Sequence, residues 1–246
     1  MASIMSDTPV IHFLASCDTV MNEARRRAAV NELPFFASVL AETQTAGRGR
    51  HGHAWASPAG NLYAAIRLPD HPPFSGLTGP MVVSTAVAQV LEHLGLTVKL
   101  KWPNDLALLA PQRQWCKCAG ILLEKKGDLL IAGIGLNLVS HPDAAQLREK
   151  AALPAGDLSQ CLTRVPDAPN LWRQIAARLC AVENSSVRTW KSYAERHMLW
   201  LGEEVFVSTT DRTISGRFMG LGEAGELRLS TAEGEKFLTE GSLCIR

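Results

Sequence analysis

The 246-residue sequence is most informative first through what it lacks. No apolar run approaches the roughly 18 residues of a membrane span, so no spanning helix is expected. Charge of one sign is missing too: 25 Lys and Arg face 24 Asp and Glu, a formal net charge of +1. That balance removes any global electrostatic pull toward nucleic acid or an acidic membrane, while leaving room for a local cluster. The six cysteines, Cys17, Cys116, Cys118, Cys161, Cys180 and Cys244, are too scattered for a disulfide scaffold. The opening MASIMSDTPV has neither the basic n-region nor the long apolar h-region of a secretory signal. Reduced thiols and a cytoplasmic location are the resulting expectation. G-x-S-x-G, G-x-x-x-x-G-K-[ST] and H-E-x-x-H are all absent. His51-x-His53 and Cys116-x-Cys118 each lack a matching second pair, so no protein-bound metal is expected.

What is present suits a folded protein. With 46% apolar and 20% charged residues the chain can bury a sizeable core without staples, which excludes disorder for its body. Its length fits one domain with an appendage or two small ones. Ile11 to Ala15, Phe35 to Glu42, Leu62 to Leu68 and Val98 to Lys101 read as strands. TVMNEARRRAAV reads as a helix capped by Asp18 or Thr19, with Arg25 to Arg27 on its solvated face. Val83, Val87, Val90, Leu91 and Leu94 share one face of a second helix between Leu77 and Leu94. Lys117 to Glu124 and Asp128 to Val139 suggest a hairpin turning at Lys126-Gly127. Irregular connections follow to Asp167, then a helix over Asn170 to Trp190. Beyond Met198, short alternating strands with glycine-bearing turns every 8–12 residues suggest a small barrel or sandwich.

Four stretches carry chemistry. The long loop Thr43 to Gly60 holds GRGRHG, with Gln44 and Gly47 before Arg48 and Arg50, and Trp55 after. Glycines admit a ligand close to the backbone, and arginines offer forked cations to a carboxylate or phosphate. Taken alone, the same residues equally describe a solvated Arg-Gly loop. KWPND places Lys101, Asn104 and Asp105 at the end of an apolar strand, where α/β proteins often bind ligands, although by itself it is also an ordinary turn. In KCAGILLE, strand alternation puts Lys117 on one side with Ala119, Ile121 and Leu123, and Gly120 marks a bulge or a close backbone approach. In AGIGLNL, Asn137 is either a satisfied core amide or a ligand contact.

In this order and spacing the four motifs resemble the biotin protein ligases, and the tail LGEEVFV…GELRLS…GSLCIR is similar to the family's small C-terminal domain. The resemblance implies an α/β fold of the α+β type: a mixed-sheet, class II synthetase-like biotin/lipoyl ligase domain with helices on one side, over residues 1–197. A small SH3-like β-barrel is expected over 198–246. The implied reaction has two steps. Biotin's carboxylate attacks the α-phosphate of ATP, with Mg²⁺ present, to give biotinyl-5′-AMP and pyrophosphate. A lysine of a biotin carboxyl carrier domain then takes the acyl group and AMP leaves.

By the same resemblance Lys117, Arg50, Arg48 and Asp105 are the catalytic set, with Asp105 a candidate to assist the acceptor lysine. Thr19, Gln44, Gly47, Arg48, Arg50, Lys117 and Gly120 meet biotin. Arg50, Trp55, Lys101, Asn104, Asp105, Lys117 and Asn137 meet ATP. The family's Ser-Thr pair before the first helix corresponds to Thr19 and Val20, one hydroxyl fewer, at about 0.5–1.5 kcal/mol for a lost hydrogen bond. With about ten residues before the first strand, no DNA-binding domain and no DNA partner are expected, and no membrane partner either. A homodimer through a sheet edge is a state the family adopts. The competing expectations are a lipoate or octanoate ligase of the same fold, and a non-catalytic biotin- or nucleotide-binding regulator.

Overall fold

The computed structural model describes residues 9–143, 153–183 and 187–245. Strands β1 (Ile11–Cys17), β2 (Ser38–Gln44), β3 (Leu62–Leu68), β4 (Val98–Lys101), β5 (Asp105–Leu109), β6 (Trp115–Lys126) and β7 (Leu129–Leu136) form one sheet in the order β1-β2-β3-β7-β6-β5-β4. β1 and β2 run parallel and every other neighbouring pair is antiparallel, so the sheet is mixed as expected. Strand β3 is apolar except at Arg67 because both of its faces are covered.

The helices divide between those two faces. α2 (Thr78–His93) buries eleven residues and packs with α3 (Ala168–Glu183) and α4 (Val187–His197) on the face bearing Leu62, Ala64 and Ile66. α1 (Val20–Ala29) packs on the opposite face, where Val20, Met21 and Ala24 meet Val39, Tyr63, Ala65 and Ile131. Helices therefore cover both faces, not one. The parity of the strands dictates this: Leu40 and Leu62 point one way, Val39 and Tyr63 the other, and both sets are apolar. The helix expected over Asn170 to Trp190 is two helices, the second running on to His197. Between them lies Asn184-Ser185-Ser186, a run of weak helix formers outside the described residues. Among the described residues no helix is long and apolar enough to cross a membrane.

The last fifty residues make a second sheet. β8 (Glu204–Ser208), β9 (Thr213–Leu221), β10 (Leu227–Thr231), β11 (Gly234–Leu238) and β12 (Ser242–Cys244) pair antiparallel in the order β11-β10-β9-β8-β12. The expected closed barrel is not seen among the described residues: β11 and β12 end an open sheet, and β12 is only three residues long. A register shift that skips Met219 on β9 bends it instead. Its apolar side, including Val205, Phe218 and Leu229, joins the main core. Trp102 fastens the two sheets together, its indole N–H donating to the Gly225 carbonyl at 3.3 Å. Lys191 and Glu223 pair across the same junction at 2.9 Å, and Leu199 N–H donates to Leu100 O at 2.8 Å.

Candidate functional site

A cavity of about 1090 Å³ opens beside α1, on the sheet face that α2 and α3 leave free. All twelve residues singled out from the sequence line it: Thr19, Gln44, Gly47, Arg48, Arg50, Trp55, Lys101, Asn104, Asp105, Lys117, Gly120 and Asn137.

Its floor is bare backbone. Gly120 of β6 and Gly135 of β7 are register partners, and Gly133 lies two residues before Gly135. A Cβ on Gly135 would sit 2.6 Å from the Trp55 indole and one on Gly120 2.9 Å from it, while one on Gly133 would meet Met21 at 2.7 Å. The absence of side chains makes room for a flat ring, and the Trp55 indole occupies that place. Its N–H is buried without a hydrogen-bond partner among the described residues, which is uncommon in a finished interior.

The charges come from strand ends. Lys101 closes β4, Asp105 opens β5, and Lys117 lies on β6. Lys117 Nζ is 2.6 Å from Asp105 Oδ1 and Lys101 Nζ is 3.7 Å from Asp105 Oδ2. Lys101 is only 3% exposed, so its charge has left water and is sustained by Asp105 and by the Trp200 ring, whose centroid lies 5.9 Å away. Two ammonium groups around one carboxylate leave a net positive floor.

Simple alternation along β6 had grouped Lys117 with Ala119 and Ile121. The structure overturns that grouping. β5 pairs Leu106 with Ala119 and Ala107 with Lys117, so Cys118 is an extra, bulged residue. Beyond the bulge Ala119 and Ile121 face the core, while Lys117 turns to the cavity beside Gly120. The bulge thus falls at Cys118, and Gly120 is the close approach. Cys118 itself is fully buried, which pushes its thiol up to about 12.

The Arg-Gly segment forms the roof, and it is more ordered than a plain loop. Arg48 and Ala54 form an antiparallel bridge, and Trp55 N–H donates to Gly47 O at 2.9 Å. Gly47 must be glycine here, because a Cβ would come within 2.4 Å of the Trp55 carbonyl. Gln44 is locked from both ends: Val20 N–H donates to Oε1 at 2.9 Å, and Nε2 donates to Ser57 Oγ at 2.9 Å. Thr19 caps α1, its hydroxyl oxygen accepting from Asn22 N–H at 2.9 Å. Arg48 donates to Asn22 Oδ1 at 3.0 Å and lies 3.7 Å from Glu124, which also pairs with Arg25. Arg50 donates to Asn104 Oδ1 at 3.2 Å, and Asn104 in turn donates to Ile121 O at 2.7 Å. Asn137 is 4% exposed, with Nδ2 donating to Gly156 O at 3.0 Å, so it is a satisfied amide that also borders the cavity.

Sequence reasoning missed several neighbours. Asn22 and Glu124 hold Arg48 and also bind Arg25, which the sequence places on a solvated helix face. Turns of the second sheet reach the cavity rim through Thr209, Thr210, Glu240 and Ser242. No local pattern marks any of these. Among the described residues no group of three His, Cys, Asp or Glu could hold a metal.

A mixed sheet with a glycine floor, a lysine-paired carboxylate and an Arg-Gly roof defines a class of site that can seat a flat group beside an anionic one. The model of the biotin/lipoate A/B protein ligase family matches residues 20–138. The biotin–[acetyl-CoA-carboxylase] ligase of Paracoccus denitrificans is 31% identical, over 92% of this chain and 96% of that one. The bifunctional ligase/repressor BirA of Escherichia coli is 32% identical over 81% of this chain, which spans 63% of that protein's length. The biotin protein ligase of Aquifex aeolicus, solved in complex with biotin and ATP, superposes with a TM-score of 0.79 at 28% identity, covering 96% of this chain and 98% of that one. The chain belongs to the biotin/lipoate protein ligase family.

Proposed function

We propose that this chain is an ATP-dependent biotin–protein ligase, which makes biotinyl-5′-AMP and passes biotin to a lysine of a biotin carboxyl carrier domain. One observation carries the reading: a side-chain-free floor at Gly120 and Gly135 lies directly beside the Lys117–Asp105–Lys101 cluster. The first step drives a carboxylate against a triphosphate, and fixed cations offset both their repulsion and the charge that develops. Lys117 and Arg50 stand between the two substrates. Thr19, Gln44, Gly47, Arg48 and Gly120 serve the biotin end. Trp55, Lys101, Asn104, Asp105 and Asn137 serve the nucleotide end. The carboxylate oxygen bonds to the α-phosphorus as pyrophosphate leaves. The acceptor amine then bonds to the acyl carbon, AMP leaves, and the amine gives up its proton. Asp105 already faces two ammonium groups, which suits it to orienting Lys117; accepting the amine's proton is its second candidate role.

The described residues do not fit a protein-held Mg²⁺, since they offer no acidic cluster and Asp105 is engaged by lysines. Mg²⁺ belongs with the phosphates of ATP as part of the substrate. Residues 1–197 form the ligase domain in this reading, and 198–246 an SH3-like unit bolted to it through Trp102. The need for ATP and a carrier argues for the cytoplasm. Operator DNA is not a proposed partner, because balanced charge gives it no electrostatic hold. A homodimer through a sheet edge is compatible with β1 and β4 ending the large sheet.

The test is ATP–pyrophosphate exchange with biotin, lipoate, octanoate or no acid, followed by transfer to a carrier domain. Biotin-dependent exchange is expected. Exchange with lipoate or octanoate alone would move the substrate, and none with any acid, in folded protein, would favour a binding regulator.

A further inference from the structure

The ligase reading leaves one buried carboxylate unused. Asp157 is 4% exposed and sits two residues beyond Ala155, which lines the cavity. Its Oδ1 accepts from Ser159 Oγ at 2.5 Å, and its Oδ2 lies 2.6 Å from His141 Nδ1. An ionised carboxylate only accepts, so Nδ1 is the donor and the orientation of the His141 ring is set.

The pair adds a side-chain tie between two stretches of chain that backbone bonds already join at Asn137 and Leu138. Residues 154–158 are tied to the floor by backbone: Lys117 N–H donates to Pro154 O at 2.7 Å, Gly156 N–H to Lys117 O at 3.0 Å, and Leu158 N–H to Asn137 O at 3.1 Å. The stretch leaving β7 accepts from Ser159 N–H at Leu138 O, 2.9 Å, and beyond that point it is held by Asn61, whose Oδ1 accepts from Leu138, Val139 and Ser140 N–H groups at 2.8, 3.0 and 3.3 Å. The next side-chain tie along the chain is His141 to Asp157. Pro142 follows at once and lines the cavity, as do Leu153 and Ala155. The bond therefore crosses the base of one cavity wall, beside Lys117 and Asn137.

We propose that His141 and Asp157 are positioning residues for the nucleotide end of the site, holding the Pro142 side of the wall against the Ala155 side. The proposal rests on the ligase reading above. Neither side chain needs to touch substrate: the pair sets where the wall stands, and a displaced wall weakens ATP without reaching the biotin end at Gln44 and Arg48.

The experiment measures biotin-dependent ATP–pyrophosphate exchange, together with calorimetric binding of ATP and of biotin, for the unmodified chain, His141→Ala and His141→Asn. His141→Ala is expected to raise the KM for ATP about tenfold, with kcat and the biotin Kd within about twofold. His141→Asn is expected to restore most of the loss, because its Nδ2 can donate from the position of Nδ1. If His141→Ala fails to fold, His141→Phe keeps the ring and removes the donor in its place. An unchanged KM for ATP overturns the proposal. So does a rise in the KM for ATP and the biotin Kd together, or an Asn variant no better than Ala. An unmodified chain that neither binds ATP nor exchanges pyrophosphate overturns the ligase reading itself, a distinguishable result.

Discussion

The floor and the roof of the cavity carry the same kind of charge in opposite ways. On the floor, Lys101, Asp105 and Lys117 stand on strands whose backbones are tied to their neighbours by ladder hydrogen bonds. On the roof, Arg48 and Arg50 sit in a mostly exposed segment, held by one bridge and by side-chain bonds to Asn22 and Asn104. Strand-borne charge is preorganised and costs no rearrangement at the moment of reaction. The proposed ligase reaction asks loop-borne charge to open for a ligand and then to close, excluding water from a labile mixed anhydride. The contrast shows how one site combines precise electrostatics with access.

The comparison breaks most visibly at Lys117. Lys117→Ala is expected to lower biotin-dependent exchange by at least about a hundredfold, the order seen when a preorganised charge donor is removed. Lys117 is partly exposed, so thermal unfolding should move little. Exchange within tenfold of the unmodified chain would show that the roof arginines carry the reaction instead.

A second test asks whether floor and roof touch energetically. Gly135→Ala places a methyl 2.6 Å from the Trp55 indole and should weaken biotin binding about tenfold. Trp55→Ala removes the group it strikes. In the double variant the two stability effects should fall short of their sum by roughly 0.5–3 kcal/mol, read by urea unfolding. Strict additivity would mean that the indole does not rest on the glycine floor.

The smallest effect is chemical. Burial, with help from Asp18 and Glu23, pushes the Cys17 thiol up to about 11; this residue pairs in register with Gln44 at the edge of the roof. Burial pushes Cys118, under the floor, up to about 12. A raised pKa keeps the thiol protonated until pH passes that value. Alkylation of Cys17 at pH 8 should therefore run about a hundredfold slower in the folded protein than in the urea-unfolded chain. Labelling should reach Cys17 before Cys118 as pH rises toward 11. Equal rates in folded and unfolded protein would contradict the packing at β1.

Much of the fold was legible because its causes are local. Leu62 to Leu68 reads as a strand from a mostly apolar run, and Lys126-Gly127 reads as a hairpin turn from its glycine, which adopts a φ of 57°. The second sheet announced itself by short alternating strands, but whether it closed did not, since closure depends on how its end strands meet. Trp102 was legible only as part of the KWPND stretch at the end of an apolar strand. Its bond to Gly225, 123 positions away, was not.

The sequence by itself determined the ordered motifs, the period of each element and the set of side chains available for chemistry. Those follow from spacing and residue type along a single strand or helix. Only the tertiary structure decided which way the chemistry points. A bulge at Cys118 turned Lys117 from the core side to the cavity, strand parity put α1 on the cavity face, and the meeting of β4, β5 and β6 gave Asp105 two lysines. Each of these is a contact between residues brought together by sheet register, and register is set by the packing of the whole sheet, not by any one segment.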